Sequence, residues 1–205
     1  MPIAASRPAA KHELIELSRE ATAALDALLA DAVAKVRERV VVEGHPVSRL
    51  FDREQRATHG LAWLATYVEA VRQLAAYTER MVGDGTFGEL EEHLVRVGLG
   101  EYLAQIVGGI PMSQSEVVRP ADLGLSQAQV AARINPTVEG LIASGNTAER
   151  RARLVGIQRQ SAGMLMSLSA IKTPRVKVDL PSILPLKISK SASGSACFSH
   201  FDSSR

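Results

Sequence analysis

Residues 50–81 read LFDREQRATHGLAWLATYVEAVRQLAAYTERM. Leu61, Leu64, Val68, Val71 and Ala75 recur at spacings of three and four and so form one stripe along a helix. Trp63, Tyr67, Ala70, Leu74, Tyr77 and Met81 form a second stripe in the same stretch. A helix with two apolar stripes needs more than one packing neighbour. This helix, expected from about Ser48 to Val82, is therefore placed at the centre of a bundle.

Working outward, Leu14, Leu17, Ala21, Ala24, Leu28 and Ala32 make a stripe on an earlier helix, from about Lys11 to Val40. Val40, Val41 and Val42 break the pattern, and Gly44 with Pro46 ends it. On the other side, Thr86-Phe-Gly-Glu89 has the spacing of a capping box, in which the hydroxyl and the carboxylate satisfy each other's orphan N–H groups. The helix it opens carries Leu90, Leu94, Val97, Leu99, Leu103, Ile106 and Ile110. Gly98 and Gly100 sit inside it, each costing about 1 kcal/mol against alanine, and close approach of a neighbouring helix explains them. Gly108, Gly109 and Pro111 end the run.

Shorter helices follow. Ser126 and Gln129 form a second capping box before a helix to about Ile134. Asn135-Pro136 is a cap followed by proline at the first helical position, and that helix ends at Gly145. Asn146 is expected to cap one more, beginning Thr147-Ala-Glu-Arg-Arg. From about Thr173 the character changes. Pro174, Pro181 and Pro185 punctuate the chain, serine dominates from Ser189 to Ser204, and Val176 and Val178 flank Lys177 in a possible short strand. The reading is all-α: a bundle of three long helices plus shorter C-terminal helices with a Pro/Ser-rich tail. Its segments are a flexible N-terminus (1–10), a helical domain (11–158) and a divergent, poorly ordered tail (159–205).

The totals narrow the function classes. The 205 residues include 4% aromatics, which favours helix over sheet given the plentiful alanine and leucine. One cysteine, Cys197, excludes a disulfide framework within the chain and suits a reducing, cytoplasmic setting. A formal charge of +2, with both signs interspersed, makes no case for nucleic acid or an anionic membrane. No apolar run approaches the ~20 residues of a membrane span. His12, Glu13 and Glu16 stand where a signal peptide would need its apolar region.

The chemical motifs are incomplete. Gly83-Asp-Gly85-Thr-Phe-Gly88 satisfies the letters of a dinucleotide fingerprint, but a long helix precedes it where a strand is required, so it reads as a helix–helix turn. None of His12, His45, His59, His93 or His200 has a glutamate three residues before it, and no H-E-x-x-H occurs. Glu89, Glu91, Glu92 and His93 read as a solvated helix face rather than a metal site. Ser126 to Arg133 resembles the first helix of a helix-turn-helix, with Arg133, Arg150, Arg151, Arg153 and Arg159 as candidate phosphate contacts. Asn135-Pro136 replaces the sharp glycine turn, however, and Thr137–Ser144 has no basic residue, so a capped surface helix is the better reading.

Residues 50–81, with 85–125, resemble a helical extension found ahead of the core in the acyl-CoA dehydrogenase family. The most specific pieces are His59-Gly-Leu-Ala-Trp63-Leu-Ala-Thr-Tyr67-Val-Glu-Ala and Gly100-Glu-Tyr-Leu-Ala-Gln-Ile-Val-Gly-Gly-Ile-Pro-Met-Ser-Gln114. The likeness continues through Asn146-Thr-Ala-Glu-Arg-Arg151 and spans roughly residues 45–157. It implies a flavoprotein that oxidises an acyl-CoA thioester, with a glutamate removing the α-proton and FAD accepting a hydride from the β-carbon. The family's core has a helical domain, a β-domain holding the flavin and a C-terminal helical domain. No residue here matches the catalytic base or the flavin-holding positions, so no catalytic, cofactor-binding or metal residue is assigned. FAD is expected in the full-length family and not on this chain. The implied partners are a dehydrogenase core or sister subunits, with no membrane, nucleic acid or metal.

After Gln158 the likeness stops, and the Ser-rich end reads as out-of-frame translation or an unrelated terminus. The expectation is a truncated product, inactive alone. A free-standing helical interaction module and a DNA-binding regulator are the alternatives.

Overall fold

Proline at a first helical position has its φ preset and loses no hydrogen bond. The first helix, α1, opens this way at Pro8 and runs to Val40 in the computed structural model, which describes residues 8–113 and 116–169. Leu14, Ala21, Leu28 and Ala32 of the expected stripe are fully buried, while Leu17 and Ala24 are partly so. Leu25 and Val36 complete the buried face. Ser18 lies wholly inside, its hydroxyl donating to the Leu14 carbonyl at 2.6 Å, which removes the cost of burying it.

The valines that break the helical pattern form a hairpin. β1 (Val41–Val42) pairs antiparallel with β2 (His45–Pro46) across Glu43 and Gly44, both at positive φ. Two positive φ values in a two-residue turn match the twist of the flanking strands.

The expected helix from Ser48 to Val82 is broken at Glu54, into α2 (Ser48–Arg53) and α3 (Gln55–Gly83). No proline or glycine marks the break. Glu54 has φ −100° and ψ 24°, and its carboxylate pairs with Arg53 (3.0 Å) and with Arg39 of α1 (3.7 Å). The first stripe of α3 (Leu64, Val68, Val71 and Ala75) is buried, and α1 is its principal neighbour. Arg19–Glu79 and Asp26–Arg72, both 2.7 Å, show that α1 and α3 run antiparallel.

The second stripe packs against α4 (Glu89–Gly108). Tyr67 and Tyr102 meet edge-to-face at 5.1 Å, and a Cβ on Gly98 would stand 3.0 Å from Leu74. Two neighbours for two stripes place α3 at the centre of the bundle. The capping box, however, is two residues late. Gly88 is the N-cap, and its N–H donates to Glu91 (2.8 Å), whereas the Thr86 hydroxyl donates back to the Met81 carbonyl (3.4 Å). The cause is Phe87, which is buried in the core. Drawing that ring inward keeps Thr86–Gly88 in a turn and delays the helix.

After α4, β3 (Ile110–Pro111) pairs antiparallel with β4 (Val117–Val118), and a 3-10 turn spans Pro120–Leu123. This corner lies on Gly60 of α3, where a Cβ would come within 2.8 Å of Val118. Then come α5 (Gln127–Arg133), α6 (Pro136–Gly145) and α7 (Ala148–Ser169). Ser126 and Gln129 form the expected box, and the Asn135 Oδ1 accepts from Val138 N at 2.9 Å. The last cap is Thr147, whose hydroxyl accepts from Arg150 N (3.2 Å), and not Asn146. Asn146 is drawn instead to Glu101 of α4 and Arg151 of α7. The helix α7 runs across Gln158 and on to Ser169. Of the segments expected to be flexible (1–10) or poorly ordered (159–205), residues 8–10 belong to α1 and 159–169 to α7, while 1–7 and 170–205, with the possible strand, lie outside the described residues. Seven helices and two two-residue ladders make the described chain all-α.

Gly100 is explained by α6. A Cβ there would stand 2.6 Å from Asn146 N and 2.8 Å from the Gly145 Cα, so two helix backbones touch where both residues are glycine.

Candidate functional site

Three places concentrate chemistry-bearing side chains. The first is the turn between α3 and α4. Its glycines follow a helix, and its N–H groups are already engaged: Gly85 to Val82 O (3.1 Å), Thr86 and Phe87 to Met81 O (2.9 and 3.1 Å), Gly88 to Glu91. Glu89, Glu91 and Glu92 add three carboxylates in the first turn of α4. A dinucleotide pyrophosphate needs free loop N–H groups and a positive potential; here the N–H groups of residues 85–88 are taken and three carboxylates oppose an anion at the start of α4. The described residues of the turn therefore do not fit FAD.

The second is a polar corner where α4, α6 and α7 meet, around an open cleft of about 740 Å³ lined by His93, Ser144, Thr147, Glu149, Arg150 and Arg153 among others. Glu89 joins α4 to α7 through Arg153 at 2.5 Å, and His93 Nε2 stands 3.7 Å from the same carboxylate. The Arg153 hydrogen bond is the main reason the Glu89 carboxyl is held below its ordinary range. Behind the cleft Arg96 pairs with Glu92 at 3.1 Å, with side chains only 12% and 20% exposed. Arg150 donates from Nε to the Ser144 carbonyl (2.7 Å) and has no carboxylate within ion-pair distance among the described residues. Partial desolvation first, and the Arg96 cation second, lower its pKa. His93 Nδ1 is buried with no hydrogen-bond partner. Far from a solvated face, Glu89, Glu92 and His93 are thus built into an interhelical network. Arg96, which sequence reading passed over, belongs to it. The signal was Glu92 four residues earlier, an i,i+4 pair.

The third is an apolar groove of about 470 Å³ between the end of α4, the 3-10 turn and α5. Val107, Leu125, Val130 and Ile134 line it, with Arg119, Gln127 and Glu139 as its polar members. On α3, Trp63 Nε1 donates to His59 Nε2 (3.1 Å), beginning a ring ladder that continues through Tyr67 to Tyr102. Trp63 and His59, prominent in the sequence, therefore contact each other on the side of α3 that meets α4.

The arginines considered for DNA are mostly engaged within the chain. Arg133 chelates Asp31 (2.8 and 3.2 Å), Arg151 bonds Asn146, and Arg153 holds Glu89. Among the described residues no group of three His, Cys, Asp or Glu side chains could hold a metal ion, and no helix is long and apolar enough to cross a membrane. Cys197 and His200 lie outside the described residues.

No protein-family profile matches the chain. Over 151 residues it is 42% identical to (2S)-methylsuccinyl-CoA dehydrogenase of Cereibacter sphaeroides, a stretch amounting to 74% of this chain and 27% of that protein. The chain thus spans about a quarter of the length of the curated relative it matches. The similarity read from residues 45–157 is shown by this match, which is longer than that stretch.

Proposed function

We propose that the helical body is one module of an FAD-dependent acyl-CoA dehydrogenase acting on methylsuccinyl-CoA or a related thioester, and that it serves assembly rather than chemistry. The observation that carries this is the 42% identity over 151 residues, confined to 27% of the dehydrogenase. Two features support the division of labour. The glycine turn before α4 is closed to a pyrophosphate by its own hydrogen bonds and carboxylates. The groove beside α5 is mostly apolar, the character of a surface that another part of a dehydrogenase, or a sister subunit, would cover. In this reading proton abstraction and hydride transfer belong to polypeptide outside the matched stretch, and the chain of 205 residues is inert alone.

The test is an absorbance scan of the purified chain at about 450 nm, where oxidised flavin absorbs, with and without added FAD and methylsuccinyl-CoA. The expected result is no stoichiometric flavin band and no turnover with an artificial electron acceptor. A stoichiometric band that bleaches on adding the thioester overturns the reading of an inert module.

A further inference from the structure

We propose that the cleft between α4, α6 and α7 binds a phosphate group, with Arg150 as its principal anchor. Arginine is the side chain best suited to this, because its planar fork offers paired N–H donors to paired oxygens. Arg150 is oriented for the task without being used up. Its Nε is fixed on the Ser144 carbonyl at 2.7 Å, while its two terminal nitrogens have no partner among the described residues. The residue is only partly exposed and lines the 740 Å³ cleft, a volume in the range of small-molecule sites.

The surrounding charges favour an anion at that one point. Arg153 lines the cleft from the next turn of α7, and the Arg96 cation acts on Arg150 from α4 without lining the cleft itself. The carboxylates that face the corner are Glu89, Glu92 and Glu149. Glu89 is held by Arg153, Glu92 by Arg96, and Glu149 precedes Arg150 on an exposed position. Two cations, Arg96 and Arg150, are thus held near each other: Glu92 is ion-paired with the first at 3.1 Å, whereas Arg150 has no such pair and feels Glu92 and Glu149 only at longer range. The mutual repulsion of the two arginines and the partial desolvation of Arg150 are both relieved by one bound oxyanion. The Ser144 hydroxyl donates to the Gly140 carbonyl, whereas the Thr147 hydroxyl accepts from Arg150 N and keeps its proton to support the arginines at an oxyanion.

The phosphate has two possible sources: inorganic phosphate, or the nucleotide end of a coenzyme A thioester. Only the second rests on the dehydrogenase reading, so a phosphate-binding chain with no link to a dehydrogenase would leave the site standing.

Calorimetric titration of the 205-residue chain at low ionic strength, where screening is least, tests the site with three probes: inorganic phosphate, coenzyme A and pantetheine. Phosphate and coenzyme A are expected to bind and pantetheine not to. Tighter binding of coenzyme A than of phosphate assigns the nucleotide source, and equal binding assigns the free anion. Arg150→Gln is expected to weaken binding at least about tenfold, as loss of a charged hydrogen-bond donor does, while Arg133→Gln leaves it unchanged. Should Arg150→Gln lose its helical circular dichroism, Arg150→Lys replaces it, with weakened binding expected because one point charge substitutes for the fork. No heat with any probe overturns the proposal. So does pantetheine binding as well as coenzyme A, or unchanged affinity in a folded Arg150 variant.

Discussion

Along the α1–α3 seam, Leu14, Ala21, Leu28 and Ala32 of one helix and Leu64, Val68 and Val71 of the other are buried, and the ion pairs Arg19–Glu79 and Asp26–Arg72 stand outside in water. At the α4–α6 crossing no side chain fills the closest contact. Gly100 lies on Gly145, and polar groups close in around it: Arg96 with Glu92, Asn146 with Glu101, Glu89 with Arg153. The first region tolerates changes of shape because many small dispersion contacts share the load. The second depends on backbones that cannot move apart without unmaking charge-assisted hydrogen bonds. A contact between side chains can repack, whereas a contact between main chains cannot.

The largest effect that separates the two regions should come from Gly100→Val. Its added carbons would enter the space of Asn146 N and the Gly145 Cα, and a destabilisation of at least about 4 kcal/mol is expected, beyond ordinary overpacking because the obstacle is backbone. Chemical denaturation reads it directly, and a loss under about 1 kcal/mol would show that the crossing can relax. Leu28→Ala, in the seam, should cost about 3 kcal/mol with a cooperative transition retained.

Acid should sharpen the contrast by direction. The Asp31, Glu89 and Asp122 carboxyls are each held below their ordinary values chiefly by a hydrogen bond from an arginine: Arg133, Arg153 and Arg56 respectively. A depressed folded-state pKa contributes stability that is present above the unfolded value, near pH 4, and is lost as pH falls through the lower folded value. Hydrogen exchange below about pH 4 should therefore quicken first in α5 and α7, which these bridges tether, and last in α1 and α3. Uniform loss of protection would abolish the distinction. The smallest effect expected is that of Asn135→Ala, about 1 kcal/mol for one lost cap, measured as a modest fall in melting temperature.

The same contrast explains what could be read from the residues alone. The stripes of α1 and α3 are periodic, and periodicity survives in a linear text, so the buried faces of both helices and the central place of α3 were legible, though not that the two faces meet. The caps at Ser126 and Asn135 were legible too, because their chemistry is local. The break at Glu54 was not, since it depends on Arg39, fifteen positions earlier on another helix. Nor was the late start of α4, which follows from where Phe87 finds its pocket. Gly98 and Gly100 announced a close neighbour without naming it. In the sequence Arg150 reads only as a candidate contact to DNA phosphates and Arg96 is passed over, because their meeting depends on α7 folding back onto α4.

Glu20, near the middle of α1, accepts hydrogen bonds from Asn135 and Thr137, at sequence separations of 115 and 117. During synthesis α1 can zip against α3 as soon as α3 emerges, since helix formation and short-range docking are fast. The face of α1 that meets α6 must wait until residue 145 has left the ribosome, about ten seconds at ordinary elongation rates. Contacts of such high sequence separation are the costly ones to close. The growing chain therefore passes through an interval in which a finished α1–α3 hairpin presents Leu17 and its neighbours to the cell, and a chaperone that recognises this protein would meet it then.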